Sequence, residues 1–258
     1  MSAVSESVVR QEVVGRVLHV VLDRPPANAL GAPIIEGLTA VADTLERDDT
    51  VKVAVISSAI DGIFAAGADI KQMGTLDPES FAGYRDALRA PVERINRCGK
   101  PTIAAIDGLA LGGGLELSMA CTLRFATAAS KVGLPEVKLG LIPGAGGTQR
   151  LPLLVGRGRA LEIMLSGRSV PGEEALQIGL VDRLVDGDVV AEALAYAETL
   201  AAFPVTAMKA IIDCVDAVSG VPADGMQLEG ELVVEMLASG EAAEGIAAFI
   251  ARRPAAYA

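Results

Sequence analysis

The sequence predicts an α/β fold over residues 1–190 followed by a helical region over residues 191–258. Three observations carry that prediction. Short β-branched runs alternate with longer helical stretches in the first part of the chain, which is the pattern of an α/β fold. Gly and Pro mark the turns between them. From near Arg157 onward the pattern is mainly helical, in stretches bounded by Pro or Gly.

Residues 17–22 form a strand-like run that ends at the turn signal Arg24-Pro25-Pro26. A helix is expected over 33–47. Residues 51–57 read as a buried strand, and 102–107 as another that starts directly after Pro101, where a strand tolerates proline. Between these two strands, 78–97 has helical character. Four C-terminal helices are expected at about 188–202, 205–218, 223–238 and 241–250. No sequence repeat and no low-complexity linker interrupts the chain.

Composition narrows the function. Apolar residues make up 51% of the 258, enough to bury a sizeable core. Much of that count is Ala and Gly, and Trp is absent, which favours close backbone packing over aromatic clusters. The formal net charge of −11 and the lack of clustered Lys and Arg argue against nucleic-acid binding, which needs cations to neutralise phosphates. Cys98, Cys121 and Cys214 are odd in number and far apart, so they suit neither a disulfide framework nor a metal site, and are expected to be reduced and mostly buried. The N-terminus lacks a signal-peptide pattern, and no run is long and apolar enough to span a membrane. A soluble, cytoplasmic protein without membrane association is expected.

Two glycine-rich segments stand out. Gly112-Gly113-Gly114 directly precedes Leu115-Glu116-Leu117-Ser118-Met119-Ala120, which looks like the start of a helix. Tandem glycines let backbone approach a ligand, and the unpaired N–H groups of a helix start suit a developing negative charge. Tight packing of a turn against a strand is the competing explanation. The second segment, Gly144-Ala145-Gly146-Gly147-Thr148, follows Ile142-Pro143 and opens a further helix toward Leu154. It lacks the Lys-Ser or Lys-Thr of a phosphate-binding Walker loop. Neither segment has the spacing and context of a dinucleotide site, so bound NAD is not expected.

The candidates for acid–base chemistry are carboxylates. His19, the single histidine, lies inside a predicted strand and reads as a strand-face residue, which argues against a Ser-His-Asp triad. There is no HExxH motif and no Cys/His cluster, so no protein-bound metal is expected. Glu116 and Glu136 sit among apolar neighbours, where a carboxyl pKa tends to rise, and two such groups close together raise one of the pair further. On local context alone each reads first as a helix-cap or surface carboxylate, because sequence alone does not bring them together.

Three segments, in order, resemble the crotonase or enoyl-CoA hydratase/isomerase superfamily. They are Phe64-Ala65-Ala66-Gly67-Ala68-Asp69-Ile70-Lys71, Ala110-Leu111-Gly112-Gly113-Gly114-Leu115-Glu116-Leu117, and the stretch from Leu134-Pro135-Glu136 through Gly144-Ala145-Gly146-Gly147-Thr148-Gln149-Arg150. Glu174-Ala175, Gly179-Leu180-Val181 and the run from Phe249 to Pro254 look like the family's later landmarks. The resemblance implies a crotonase-like spiral of ββα units with C-terminal helices that assemble trimers, which often pair into hexamers. It implies a coenzyme A thioester as substrate and no separate cofactor. Glu116 and Glu136 would be the catalytic pair, the N–H groups of Ala68 and Gly113 the oxyanion hole, and Gly144 a donor that positions water. Ala66, Gly67, Ala68, Asp69 and Ile70 would receive the adenine end of coenzyme A, and Lys71 would contact its phosphate or adenine, with a solvated lysine as the competing explanation.

With both glutamates present, the resemblance favours hydration of a trans-2-enoyl-CoA. A Δ3,Δ2-enoyl-CoA isomerase needing only Glu136 and a non-catalytic acyl-CoA-binding protein are the alternatives. Chain-length preference would depend on residues 73–88. The chain departs from the family's pattern at its tail, where Ala256 or Tyr257 stands in place of an expected aromatic end. Its start, Arg24-Pro25-Pro26-Ala27-Asn28-Ala29-Leu30, looks like hydratase domains of bifunctional β-oxidation proteins, as a free-standing relative or an excised domain would.

Overall fold

A computed structural model describes residues 7–219, 223–238 and 241–255. The chain opens with a hairpin, β1 (Val9–Val14) and β2 (Val17–Leu22), closed by a two-residue turn with Gly15 at φ +62°. Helix α1 (Ala32–Arg47) follows, then strands β3 (Val53–Ser58) and β4 (Ile63–Ala65) and helices α2 (Ile70–Met73) and α3 (Pro78–Asn96). Strands β5 (Thr102–Ile106) and β6 (Leu109–Leu111) lead into α4 (Gly113–Ala120). Strands β7 (Leu123–Thr127) and β8 (Lys131–Gly133) lead into a 3₁₀ turn (Glu136–Leu139), α5 (Gly147–Val155) and α6 (Arg157–Ser166). After β9 (Val170–Pro171), α7 (Gly172–Gln177) and β10 (Arg183–Val185), the chain continues as α8 (Val189–Ala201), α9 (Val205–Ser219), α10 (Ala223–Ala238) and α11 (Glu241–Ile250).

The spiral follows from how the strands are shared out. Of the pairs β3/β4, β5/β6 and β7/β8, the first strand joins a six-stranded sheet of order β1-β2-β3-β5-β7-β10, and the second joins a four-stranded sheet of order β4-β6-β8-β9. Strands β3, β5 and β7 run parallel in one sheet, while β4, β6 and β8 run parallel in the other. Each pair therefore makes one turn of a coil before a helix returns the chain. The larger sheet is covered on both faces, so β3 and β5 read as continuous apolar runs. On one face, α8 lays Val189, Ala193, Ala197 and Ala201 against Val53, Val55, Ile103 and Phe125, and the small alanines let the helix lie close. The main core lies on the opposite face and includes residues of α1, α3 and α4.

The expected elements at 17–22, 33–47, 51–57, 78–97 and 102–107 correspond to β2, α1, β3, α3 and β5. The four expected C-terminal helices correspond to α8 to α11. Strand β1 carried no apolar alternation because five of its six residues are exposed. Strands β4, β6 and β8 are three residues each, too short to show a period. Of the cysteines, Cys121 is buried, Cys98 half-buried and Cys214 exposed on α9, so burial is less general than expected. His19 lies on β2 with its Nε2 2.8 Å from the Ser57 hydroxyl, in keeping with a strand-face role. Ala256 and Tyr257 lie outside the described residues. Among the described residues, no helix is long and apolar enough to cross a membrane.

Candidate active site

Helix α4 is buried along its whole length, which explains why its sequence shows no polar face. Its first turn carries Glu116, a carboxylate only 3% exposed. The glycines ahead of it have separate causes. Gly112 sits at φ +53° and ψ −126°, a conformation L side chains rarely adopt, and a Cβ there would come 2.8 Å from Glu136 Oε1. A Cβ on Gly114 would come 2.1 Å from the Ala65 carbonyl, so β4 and α4 pack at backbone contact. Gly113, between them, begins the helix, and its N–H has no hydrogen-bond partner among the described residues.

A second such N–H lies beside it. A Cβ built on Gly113 would be 3.7 Å from the Ala68 nitrogen, so the Ala68 and Gly113 N–H groups are neighbours. The Ala68 N–H also lacks a partner among the described residues. Its loop is held on both sides. Leu30 N–H donates to the Gly67 carbonyl at 2.8 Å, and Asp69 N–H donates to the Tyr84 hydroxyl at 3.1 Å. That hydroxyl donates in turn to the Leu30 carbonyl at 2.7 Å. Burial pushes the Tyr84 phenol up to about 12, so it keeps the proton it donates. Arg24 ties Asp69 to the Ala29 carbonyl, and Asp69 also caps α2 through the Gln72 N–H.

Glu136 opens the 3₁₀ turn directly after β8. The residue is half-buried, but its Oε2 is fully enclosed and has no hydrogen-bond partner among the described residues. Burial, then the charge of Glu116, push its carboxyl well above the usual carboxylate range. Glu116 is raised to about 7, mainly by burial and next by the charge of Glu229. Two hydrogen bonds and Arg150 oppose that rise: Glu116 Oε1 accepts from Ala145 N–H at 2.7 Å and from Gly147 N–H at 2.8 Å. Both bonds fall on one oxygen, which leaves Oε2 for other partners.

These groups meet at one cavity of about 60 Å³. Ala68, Gly113, Glu116, Glu136 and Gly144 all line it. The rest of its wall is largely apolar: Met73, Phe81 and Leu88 from the 73–88 region, Leu141 and Ile142, and Val233 of α10. Arg85 is the one cationic residue of the lining, and its guanidinium is engaged by the Gly230 carbonyl and by Asp86. Of the segment expected to receive coenzyme A, Ala66 and Ile70 are partly exposed, Gly67 is buried and Lys71 is exposed. A larger open hollow of about 540 Å³ between α3 and α10 contains none of the candidate residues.

Sequence reasoning missed three participants. Tyr84 offered no local signal beyond its place in a helix. Arg150 reaches back to the Ala145 carbonyl and pairs with Glu93, bracing the second glycine segment. Glu229, on α10, is 2% exposed and bonds to that same segment. With such an arrangement, paired N–H donors could hold an oxygen that gains negative charge while two raised carboxyls exchange protons with carbon and water.

The chain is similar to known proteins over nearly its whole length. Residues 12–258 match the family described as enoyl-CoA hydratase/isomerase. A probable enoyl-CoA hydratase of Rhizobium meliloti is 39% identical over 249 residues, covering 95% of this chain and 96% of the relative. The mitochondrial methylglutaconyl-CoA hydratase of Mus musculus is 36% identical over 236 residues, covering 89% of this chain and 75% of the relative. A solved enoyl-CoA hydratase from Mycobacterium avium subsp. paratuberculosis superimposes with a TM-score of 0.87 at 27% identity, covering 97% of this chain and 98% of that one.

Proposed function

This chain belongs to the enoyl-CoA hydratase/isomerase family and is an enzyme of the enoyl-CoA hydratase type, and on that premise we propose that it reversibly adds water to a trans-2-enoyl-CoA to give the 3-hydroxyacyl-CoA. The observation that carries this reading is the meeting of two enclosed carboxyls, Glu116 and Glu136, with two unpartnered N–H groups, Ala68 and Gly113, at one cavity. The thioester oxygen accepts from both N–H groups, and C3 becomes electrophilic. One such donor is worth about 3–4 kcal/mol in other enzymes. Glu116 takes a proton from water through its free oxygen as the water oxygen bonds to C3. Glu136 gives its proton to C2, and the enolate collapses to the thioester. Gly144 helps hold the water, and the 66–71 segment receives the adenine end of coenzyme A. A proton passed back from Glu116 to Glu136 resets the site, and no separate cofactor takes part.

The natural acyl group is short and apolar, serving fatty-acid β-oxidation or related acyl-CoA breakdown in the cytoplasm. The small apolar cavity supports this, as does the engagement of Arg85, which leaves no free cation on the wall for an acyl carboxylate. Crotonyl-CoA given to the purified protein should lose its conjugated enoyl-thioester absorbance. Initial rates should fall as the acyl chain lengthens. If crotonyl-CoA and its longer and carboxylated analogues all stay unhydrated, the reading fails.

A second activity, Δ3,Δ2-isomerisation, is favoured by the unpartnered Oε2 of Glu136, which can carry a proton between C2 and C4. Chromatography of products from a 3-enoyl-CoA should then show 2-enoyl product that survives Glu116→Gln but not Glu136→Gln. Assembly into trimers or hexamers is supported by Phe203, Ile211, Val215 and Phe249, large apolar side chains exposed on or beside the C-terminal helices. Light scattering on the purified chain tests it.

A further inference from the structure

The second glycine-rich segment carries a third carboxylate that the reaction above does not use. Glu229 Oε1 accepts from Gly146 N–H at 2.6 Å. Its Oε2 accepts from Thr148 N–H at 2.8 Å and from the Thr148 hydroxyl. Glu116 accepts from Ala145 and Gly147. Four consecutive N–H groups are thus divided alternately between two buried carboxylates, one from the core helix α4 and one from the C-terminal helix α10. Helix α10 lies close enough for this because Gly225 faces α5 with no side chain: a Cβ there would come 1.8 Å from Gln149 Oε1. One helical turn beyond Glu229, Val233 forms part of the cavity wall.

We propose that Glu229 is a positioning residue for Glu116: by holding Gly146 and Thr148 it keeps Ala145 and Gly147 aimed at the Glu116 carboxylate, and so couples the catalytic base to the C-terminal helix. This rests on the hydratase reading for the word catalytic, though not for the geometry. A chain with alternating N–H directions cannot swing Gly146 and Thr148 without moving Ala145 and Gly147. Every group Glu229 meets here donates to it, which favours its ionised form against the burial that pushes its carboxyl up. The charged groups around the pair are Glu136 from the 3₁₀ turn, Arg150 from α5 with its partner Glu93 on α3, and Arg85 of α3 at the Gly230 carbonyl. The charge of Arg150 lowers both carboxyls, whereas the charge of Glu229 raises Glu116 and is the influence that Glu229 variants change.

The test compares Glu229→Gln, Glu229→Ala and Thr148→Val with the wild type. Glu229→Gln keeps the shape and one acceptor but removes the charge. Its acid limb of kcat/KM should move to lower pH by about half a unit or more, and kcat should fall roughly tenfold, because Glu116 loses a neighbouring charge and part of its support. Glu229→Ala leaves two N–H groups without a partner. It should lose about a hundredfold in kcat, with KM changed by less than about threefold. Thr148→Val weakens Glu229 without replacing it, and should shift the limb in the same direction by less. It keeps the test open if either Glu229 variant fails to fold. In ¹³C-glutamate-labelled protein, the Glu116 carboxyl should titrate at lower pH in Glu229→Gln whether or not any substrate turns over. A folded Glu229→Gln with wild-type kcat and an unmoved Glu116 titration overturns the inference. A wild type that hydrates no enoyl-CoA, with that titration shifted, overturns only the hydratase reading.

Discussion

The two glycine-rich segments, Gly112–Gly114 and Gly144–Gly147, are alike in sequence and opposite in use. Both open a helix, α4 and α5, and both present N–H groups that have no partner inside the helix. At the first segment the Gly113 N–H has no partner among the described residues and lies at the cavity beside that of Ala68. At the second, all four N–H groups from Ala145 to Thr148 are taken by Glu116 and Glu229. The first is therefore poised to bind charge that appears during reaction, whereas the second already holds charge that the protein brings. A glycine-rich helix start is a local device, and what fills it is decided by residues distant in sequence.

The largest expected effect breaks the second segment at its anchor. Glu116→Gln keeps an oxygen for Ala145 and Gly147 but removes the base, so kcat for hydration should fall about 10³-fold in an absorbance assay. Next comes the contrast between a free N–H and an occupied one. Gly113→Pro removes the free donor and should cost about 10²-fold in kcat/KM, while Ala145→Pro removes one of two donors to Glu116 and should cost about tenfold. A larger loss from Ala145→Pro, with both proteins folded, would break the division of labour drawn here.

The pH profile sharpens the same contrast. Glu116 works as its carboxylate and is raised to about 7, so kcat/KM should climb as pH rises through that region. Glu136 works in its protonated form, so activity should fall again at the higher pH where it ionises; the rise in its pKa places that limb well above the ordinary carboxylate range. The smallest effect is on stability. Glu116 has a higher pKa folded than unfolded, so the folded state binds its proton more tightly. That contribution to stability is full below the ordinary value of 4.5 and is lost as pH rises toward about 7. Thermal unfolding across this window should show the wild type losing more stability than Glu116→Gln. Equal slopes would mean that Glu116 is not held in the raised state.

Much of the frame was legible in the chain because its signals are local. Strands β2, β3 and β5 announced themselves by apolar β-branched runs, and α8 to α11 by Pro and Gly at their ends. The short strands β4, β6 and β8 were not legible, since three residues carry no period, and yet they place Ala65, Leu111 and Gly133 next to the site. Glu116 and Glu136 were plausible from their apolar neighbours, and the ordered motifs made them a pair. Tyr84 and Glu229 were invisible: each reads locally as an ordinary helical residue, and each matters through a partner far along the chain. Glu229 reaches Gly146 across 83 positions.

By itself the sequence determined where the backbone can turn sharply, where helices begin, which stretches bury apolar surface, and which family of motifs the chain carries. Only the tertiary structure decided which of the two glycine-rich helix starts stays open. That choice depends on α10 returning over α5 to bring Glu229 within hydrogen-bond distance, and on α4 being buried deeply enough to lift Glu116 toward neutrality. Glycine and dihedral angle set the local shape, while the burial and Coulomb interactions that give it a task act between parts of the chain that only folding brings together.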